Sequence, residues 1–380
     1  GDHRDLHRVD RRQRQMCIRD SGHALSPLSI CLVVGSEINL MRRFTVRSRS
    51  WFAPSMLLAA MFLATSGHAS DPIAAERGFS GELNLLGGVL SSRSNLAVSG
   101  DQRQINSLDE LQPRQSRAIT GVLGQVDYTV VPRRFSLYAG TPMQGLSDGC
   151  LVLELGMRYQ LEEAGQLRAG VIPLALLNNE VWVDPFLTGQ NRARTDRDSY
   201  GFNVGWTEIY GSGFSVDYQF LRHDINRDQA GFSANLTALE RRELRRGGDE
   251  HQFIVNYSLP LNQQWTVVPE LRYTRYQADG AVNRGWLLRP QLTASWQQEN
   301  WQVSLTGYMG LDRYDLKNPL LDGYQDSEQY GLAAGVRYEN PFGWENWSVD
   351  ALGIWSERDA DVRFYDSNTH LFSIGLGYRF

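Results

Sequence analysis

Leu151-Val152-Leu153-Glu154-Leu155-Gly156-Met157-Arg158-Tyr159-Gln160 alternates without a break. In an extended chain Leu151, Leu153, Leu155, Met157 and Tyr159 share one face, and Val152, Glu154, Gly156, Arg158 and Gln160 share the other. The first face suits lipid and the second suits water. A helix would mix the two sets around its circumference, so this stretch reads as a strand with an apolar outside and a polar inside. The same phase recurs in Tyr200, Phe202, Val204 and Trp206, and again in Phe214, Val216, Tyr218 and Phe220. Tyr210-Gly211-Ser212-Gly213 lies between these two as a tight turn with glycine where positive φ is needed.

Extended in both directions, this unit predicts an all-β chain: a transmembrane, up-and-down antiparallel β-barrel of about 14 strands, with 12 as the main alternative. The strands fall near 79–92, 119–131, 134–142, 150–161, 166–175, 199–210, 213–224, 250–259, 264–276, 285–296, 300–311, 328–339, 346–357 and 370–380. Short connections, such as Val131 to Arg134, Glu162 to Gly165 and Pro260 to Gln263, alternate with long charged ones. Short turns belong to the periplasm and long loops to the outside. A periplasmic start and an even strand number then bring the chain back to the periplasm. A soluble sandwich or propeller also alternates, but it would turn its polar face outward. Here the apolar face carries Trp265, Trp286, Trp296, Trp301, Trp347 and Trp355 near strand ends, at the level where aromatic rings meet lipid headgroups. No run of about 18 uncharged apolar residues offers a membrane-spanning helix instead.

Upstream of the strands, Met41 opens an export signal of the Sec type. Arg42, Arg43, Arg47 and Arg49 form its positive region, Trp51 to Ala64 its apolar region, and Gly67-His68-Ala69 a small-x-small cleavage site. Residues 41–69 are therefore expected to be a signal peptide and residues 70–380 the outer-membrane barrel. Residues 1–40 read as translated upstream or adaptor DNA, a non-native segment without packed structure. The first 69 residues hold 10 arginines and 5 acids, which leaves 28 basic against 38 acidic residues and a net charge of −10. That balance argues against a nucleic-acid partner. Cys150 remains as a lone thiol, and three histidines remain, His223, His251 and His370, so no metal site is expected.

The last strand ends Phe372, Ile374, Leu376, Tyr378, Phe380. It resembles the carboxy-terminal signature of outer-membrane barrel proteins, in which Tyr378 and Phe380 are implied to serve the barrel-insertion machinery. More narrowly, Gly78-Phe79-Ser80-Gly81-Glu82 and Asp184-Pro185-Phe186-Leu187-Thr188-Gly189-Gln190 through Thr195-Asp196 resemble a family of gammaproteobacterial outer-membrane barrels of unknown function. The resemblance covers nearly all of residues 78–380. It implies a porin-like fold and a location, and no activity.

Fourteen strands about 4.8 Å apart, tilted near 40°, enclose a backbone cylinder roughly 28 Å across. Side chains would narrow this to an opening of order 10 to 16 Å. The phase of alternation points Glu82, Asp127, Glu154, Asp217, Glu270 and Asp350 inward against Arg158, Arg168, Arg272, Arg289, Arg337 and Arg379. Ionisable groups at this depth must meet water or one another. They predict either a solvated pore of mixed charge or arginine–carboxylate pairs crossing the lumen as structure.

The third long loop, Leu176 to Ser199, joins apolar Val181-Trp182-Val183 and Pro185-Phe186 to Asp184, Arg192, Arg194, Asp196, Arg197 and Asp198. Porins, which it resembles in loop order, fold this loop inward as a constriction; the alternative is an external loop packed on its neighbours. The fourth loop predicts a helix over Ala234 to Arg246, capped by Ser233 and ended by Gly247. Its Arg241, Arg242, Arg245 and Arg246 either meet lipopolysaccharide phosphates or form a solvated face. Enzyme motifs are lacking. A catalytic barrel would need His223 or His251 beside a serine or carboxylate, with Asp217 and Asp224 near in sequence. The chain is expected to be a passive, porin-like channel for small hydrophilic solutes in the bacterial outer membrane, not an enzyme and without cofactors. It would contact lipid and lipopolysaccharide, and its oligomeric state is open. A non-conducting structural or adhesion barrel acting through its extracellular loops is the alternative.

Overall fold

The computed structural model describes residues 72–98, 103–141, 151–176 and 179–380. The chain divides into Gly1–Trp51 and Phe52–Phe380, and only the second unit holds described residues. The expected non-native segment and export signal lie outside them.

Strands follow one another as β1 (Gly78–Ser94), β2 (Gln115–Val131), β3 (Phe135–Gly140), β4 (Val152–Gln160), β5 (Gln166–Ala175), β6 (Glu180–Trp182), β7 (Arg194–Thr207) and β8 (Phe214–Ile225). After a short helix, α1 (Ala238–Glu243), come β9 (Gly248–Tyr257), β10 (Leu259–Pro260), β11 (Trp265–Ala278), β12 (Gly285–Gln298), β13 (Trp301–Tyr314), β14 (Ser327–Glu339), β15 (Trp347–Ala360) and β16 (Ser367–Arg379). All wall pairings are antiparallel between neighbours in sequence, and β1 pairs with β16 from Glu82↔Arg379 to Ser94↔Ser367. The sheet is therefore closed. Among the described residues β6 pairs only with β7, and β10 adds two residues to the wall beyond β9, so the wall has the 14 strands that the alternation predicts. Closing the ring gives the first and last strands a partner each, as the interior of a bilayer demands.

The wall is apolar outside and polar inside. Leu83, Leu85 and Val89 of β1 are exposed while Asn84, Leu86 and Leu90 are buried; Leu292 and Leu305 are exposed while Gln291 and Thr306 are buried. A soluble protein inverts this distribution; lipid as the outer solvent explains it. Period-two alternation permits no other placement, since a shift of one residue would exchange the two faces. Five of the short turns carry a left-handed non-glycine residue: Arg133, Glu162, Glu208, Glu299 and Asn340, all with φ between 52° and 56°. Their common geometry marks one end of the barrel, the periplasmic one by loop length.

At the other end the loops meet. Ile105 from the β1–β2 loop, Phe186 from the third loop, Ala230 and Leu244 from the fourth, Val282 from the β11–β12 loop, and Phe364 and Tyr365 from the last form one buried apolar cluster. Leu320 and Leu321 of the β13–β14 loop pack against it. Phe186 and Phe364 stand 5.1 Å apart between ring centres, although their loops follow the fifth and thirteenth strands of the wall, nearly opposite each other. The loops thus form a lid across the outer mouth, with a hydrophobic core of its own.

Candidate functional site

Below the lid, the predicted inward charges occupy inward register positions and pair. Arg158 Nη1 lies 2.6 Å from Asp127 Oδ1, Arg168 Nη2 2.8 Å from Asp217 Oδ1, and Arg272 Nη2 2.8 Å from Glu270 Oε1. Arg337 reaches Glu82 and Asp350, each at 2.6 Å, and Glu82 also accepts from Arg379 at 3.1 Å. Glu154 accepts from the Tyr138 hydroxyl, and the Arg158 guanidinium lies over the Tyr138 ring. Arg289 faces the Tyr308 ring and stands opposite Arg272 in the β11–β12 register. Arg337 and Asp350 are only 2% and 3% exposed, so these charges are held by each other, as buried charges must be.

The direction of these pairs matters more than their number. They join β2 to β4, β5 to β8, β14 to β15, and β14 or β16 to β1. All are strands at most three places apart around the wall. The ion pairs named here run along the wall as a belt, not across the lumen as expected of structural cross-braces. A further pair that the sequence reading missed, Arg358 with Asp312 at 3.2 Å, lies higher, on β15 and β13. Its signal was present, since both residues hold the inward phase of their strands.

The third loop departs from the constriction expected of it. Its wall portion is shorter than expected, because β6 pairs Glu180–Trp182 with Arg194–Asp196 and carries the ladder upward. Arg194, Asp196, Arg197 and Asp198 therefore belong to β7, with Asp196 and Asp198 exposed on its outward face and Arg197 on its inward one. Arg194 pairs with Glu180 at 3.4 Å. The apolar part packs on other loops, not on the inner wall: Phe186 enters the lid core and Trp182 Nε1 donates to Ala97 O. Arg192 is buried over the Trp182 ring and donates to Asn95 O at 2.8 Å and Pro185 O at 3.1 Å. Burial pushes its guanidinium down to about 10, against the opposing pull of Asp184, so it stays charged at neutral pH.

Asp184 is the keystone of the lid. One oxygen accepts from the backbone N–H of Phe186 and Gly231, each at 3.0 Å, and the other from Ser233 N at 2.9 Å, tying the third loop to the fourth. The predicted helix starts late. Ser233 gives its backbone N–H to Asp184, and α1 begins four residues on, at the capping box of Thr237 and Glu240. Arg246, expected to face phosphate or solvent, instead binds Asp228 at 2.8 Å and Trp182 O at 2.8 Å. Arg241 donates to Leu236 O and lies over Phe232.

His223 meets the distance required of a catalytic base. Ser199 Oγ is 2.7 Å from its Nδ1, and Glu250 Oε2 is 3.3 Å from its Nε2. With Nε2–H donating to Glu250, Nδ1 accepts from the serine; the tautomer follows from that network. The three side chains face the lumen from β7, β8 and β9 and satisfy one another in turn. Ser199 is 4% exposed, so its hydroxyl is spent inside this hydrogen-bond chain. His251 lies on the outward face, with its Nδ1 2.9 Å from the Tyr218 hydroxyl. Asp217 is taken by Arg168, and Asp224 by Arg222 and Tyr200.

A closed 14-strand wall, apolar outside and charged inside, with short turns at one end and a loop lid at the other, defines a bacterial outer-membrane β-barrel. The chain belongs to the family described as protein of unknown function (DUF2860), whose profile matches residues 78–379. No curated relative matches it in sequence. Among solved structures, it is similar to the CymD monoaromatic hydrocarbon channel, at 10% identity and a TM-score of 0.45 over 80% of this chain and 89% of that one. It is also similar to a deltaS2 mutant of the TodX monoaromatic hydrocarbon channel, at 9% identity and a TM-score of 0.44 over 80% and 90%. The outer membrane channel DcaP of Acinetobacter baumannii follows at 9% identity and a TM-score of 0.42 over 81% and 100%.

Proposed function

We propose that this barrel is a passive diffusion channel of the outer membrane for small hydrophilic solutes, with its outer mouth covered by the loop lid. The carrying observation is the direction of the ion pairs: a belt that runs along the wall leaves the axis to solvent, whereas cross-braces would occupy it. Glu82, Asp127, Glu154, Arg158, Arg168, Asp217, Glu270, Arg272, Arg289, Arg337 and Asp350 form that belt and set the selectivity. Asp184, Arg192 and Arg194 act on conduction by holding the third loop in the lid. Tyr378 and Phe380 serve insertion into the membrane. The export signal directs the chain there by the Sec route.

Planar-bilayer recording of refolded residues 70–380 tests this reading. Wild-type protein should give small, infrequent steps, and Asp184→Ala with Arg246→Ala should make them longer and more frequent by freeing the lid. Neutralising Arg168 and Arg337 should shift the reversal potential in a salt gradient toward cations. The packed core of the lid favours a second reading, a non-conducting barrel acting through its loops. A heat-modifiable barrel that stays silent both as wild type and with the lid freed would establish that reading and end the first.

A further inference from the structure

The lipid face of the wall is hollowed in its outer half, across β14, β15, β16 and β1. On β15 the outward positions run Ala351, Gly353, Trp355, so two small residues stand beneath a large one. Gly353 pairs with Ala334 of β14 on one side and with Phe372 of β16 on the other. A side chain built on Gly353 would meet open space. The hollow that results holds about 520 Å³, a volume in the range of small-molecule sites, and Leu332, Phe372 and Val89 line it. All three are about half exposed and border an open space on the outside of the barrel.

A polar rim stands directly above. Trp355 pairs with His370, and His370 with Ser91. An indole and an imidazole thus sit side by side at the level where rings meet headgroups. Two residues further out on the same face, about 7 Å along the strand, Arg93 lies opposite Asn368. Arg93 Nε donates to Gln112 O at 3.1 Å, and Arg114 Nη2 donates to Asn368 Oδ1. Bonds to neutral acceptors fix a guanidinium without cancelling its charge. Glu357 faces Asn368 from β15 and offsets one of the two arginines, which leaves the rim positive. Elsewhere on the outward face arginines are held by acids: Arg222 by Asp224 and Asp249, and Arg275 by Asp315.

Shape alone selects nothing here, because any lipid tail fills a hollow in the wall equally well. The rim selects. A zwitterionic headgroup carries its own cation beside its phosphate and gains little from two arginines. A headgroup with two phosphates and no cation gains from both, through charge-assisted bonds of guanidinium to phosphate. The hollow opens to the outer leaflet, where lipopolysaccharide is the lipid of that kind.

We infer that this face is a binding site for lipopolysaccharide. An acyl chain lies over Gly353 between Leu332 and Phe372, and the phosphates of lipid A are held by Arg93 and Arg114 beside His370. Nothing in this assignment depends on conduction; it rests only on the outer-membrane location.

The test uses the full-length chain extracted from outer membranes, stripped of lipid in detergent and titrated under native mass spectrometry. The probes are lipid A bisphosphate, its monophosphate and phosphatidylglycerol. Wild type should take up the bisphosphate about tenfold more tightly than either of the others. Arg93→Gln with Arg114→Gln should abolish that preference. Gly353→Trp should weaken all three alike, because it blocks the chain and not the phosphate. Arg275→Gln, which removes an arginine already held by Asp315, should bind as wild type. Each variant is checked for a heat-modifiable barrel; where the arginine variant fails that check, the wild-type comparison of the three lipids decides alone. Equal affinity of the wild type for bisphosphate and phosphatidylglycerol would make the hollow an ordinary lipid contact. A preference that survives loss of both arginines, or binding untouched by Gly353→Trp, would place the lipid elsewhere on the wall. Either result overturns the assignment.

Discussion

At the residue scale, Asp184 shows how a charge in a loop is misjudged from sequence. A carboxylate beside Trp182, Pro185 and Phe186 reads as a charge at an eyelet, yet both its oxygens are spent on backbone N–H groups of two loops. Asp184→Ala leaves two buried donors and one half-buried donor without acceptors, which costs the lid about 3 kcal/mol. The amides of Gly231 and Ser233 should then exchange much faster, while the heat-modified shift of the barrel stays as in the wild type. Loss of the barrel itself would mean the lid and wall fold as one unit. Ser199 makes the opposite case. Its bond to His223 has the connectivity of a nucleophile and base, but it is buried in a closed chain of hydrogen bonds. A fluorophosphonate probe should leave it unlabelled; Ser199-dependent labelling would reopen the catalytic reading.

At the element scale, strands were the legible part. Alternation is a local property with a period of two, and each lipid-facing strand must display it to avoid burying charge in hydrocarbon. The predicted boundaries of β5, β8, β12 and β14 accordingly lie within about two residues of those observed. Ends set by tertiary pairing were less legible. β7 begins at Arg194 because β6 lies against it, and α1 has six residues because the capping box that starts it is made by Thr237 and Glu240. The seam between first and last strands depends on side chains as well as the ladder. Glu82 on β1 holds Arg337 of β14 and Arg379 of β16. Glu82→Ala should lower unfolding stability by about 2 kcal/mol, less than for a fully buried pair because Glu82 is partly exposed and Asp350 still faces Arg337. A urea midpoint unchanged from wild type would show that the backbone ladder alone closes the barrel.

At the scale of the whole molecule, the interplay of belt and lid decides conduction. If the belt borders a solvated axis, salt above about 1 M should bring the reversal potentials of wild type and the Arg168 and Arg337 variants together, since screening there acts within about 3 Å. A selectivity difference that survives such salt would place the determining charges in a dry constriction instead. The alternation of faces, the even strand number, the aromatic rims and the inward charges follow from the sequence by itself. Each is a local consequence of a chain that must pair every backbone group inside lipid. Which charge pairs with which, and the lid that six loops build over the mouth, were decided only by the tertiary structure. Those depend on how strands distant in sequence are brought around a closed sheet, and no local period records that.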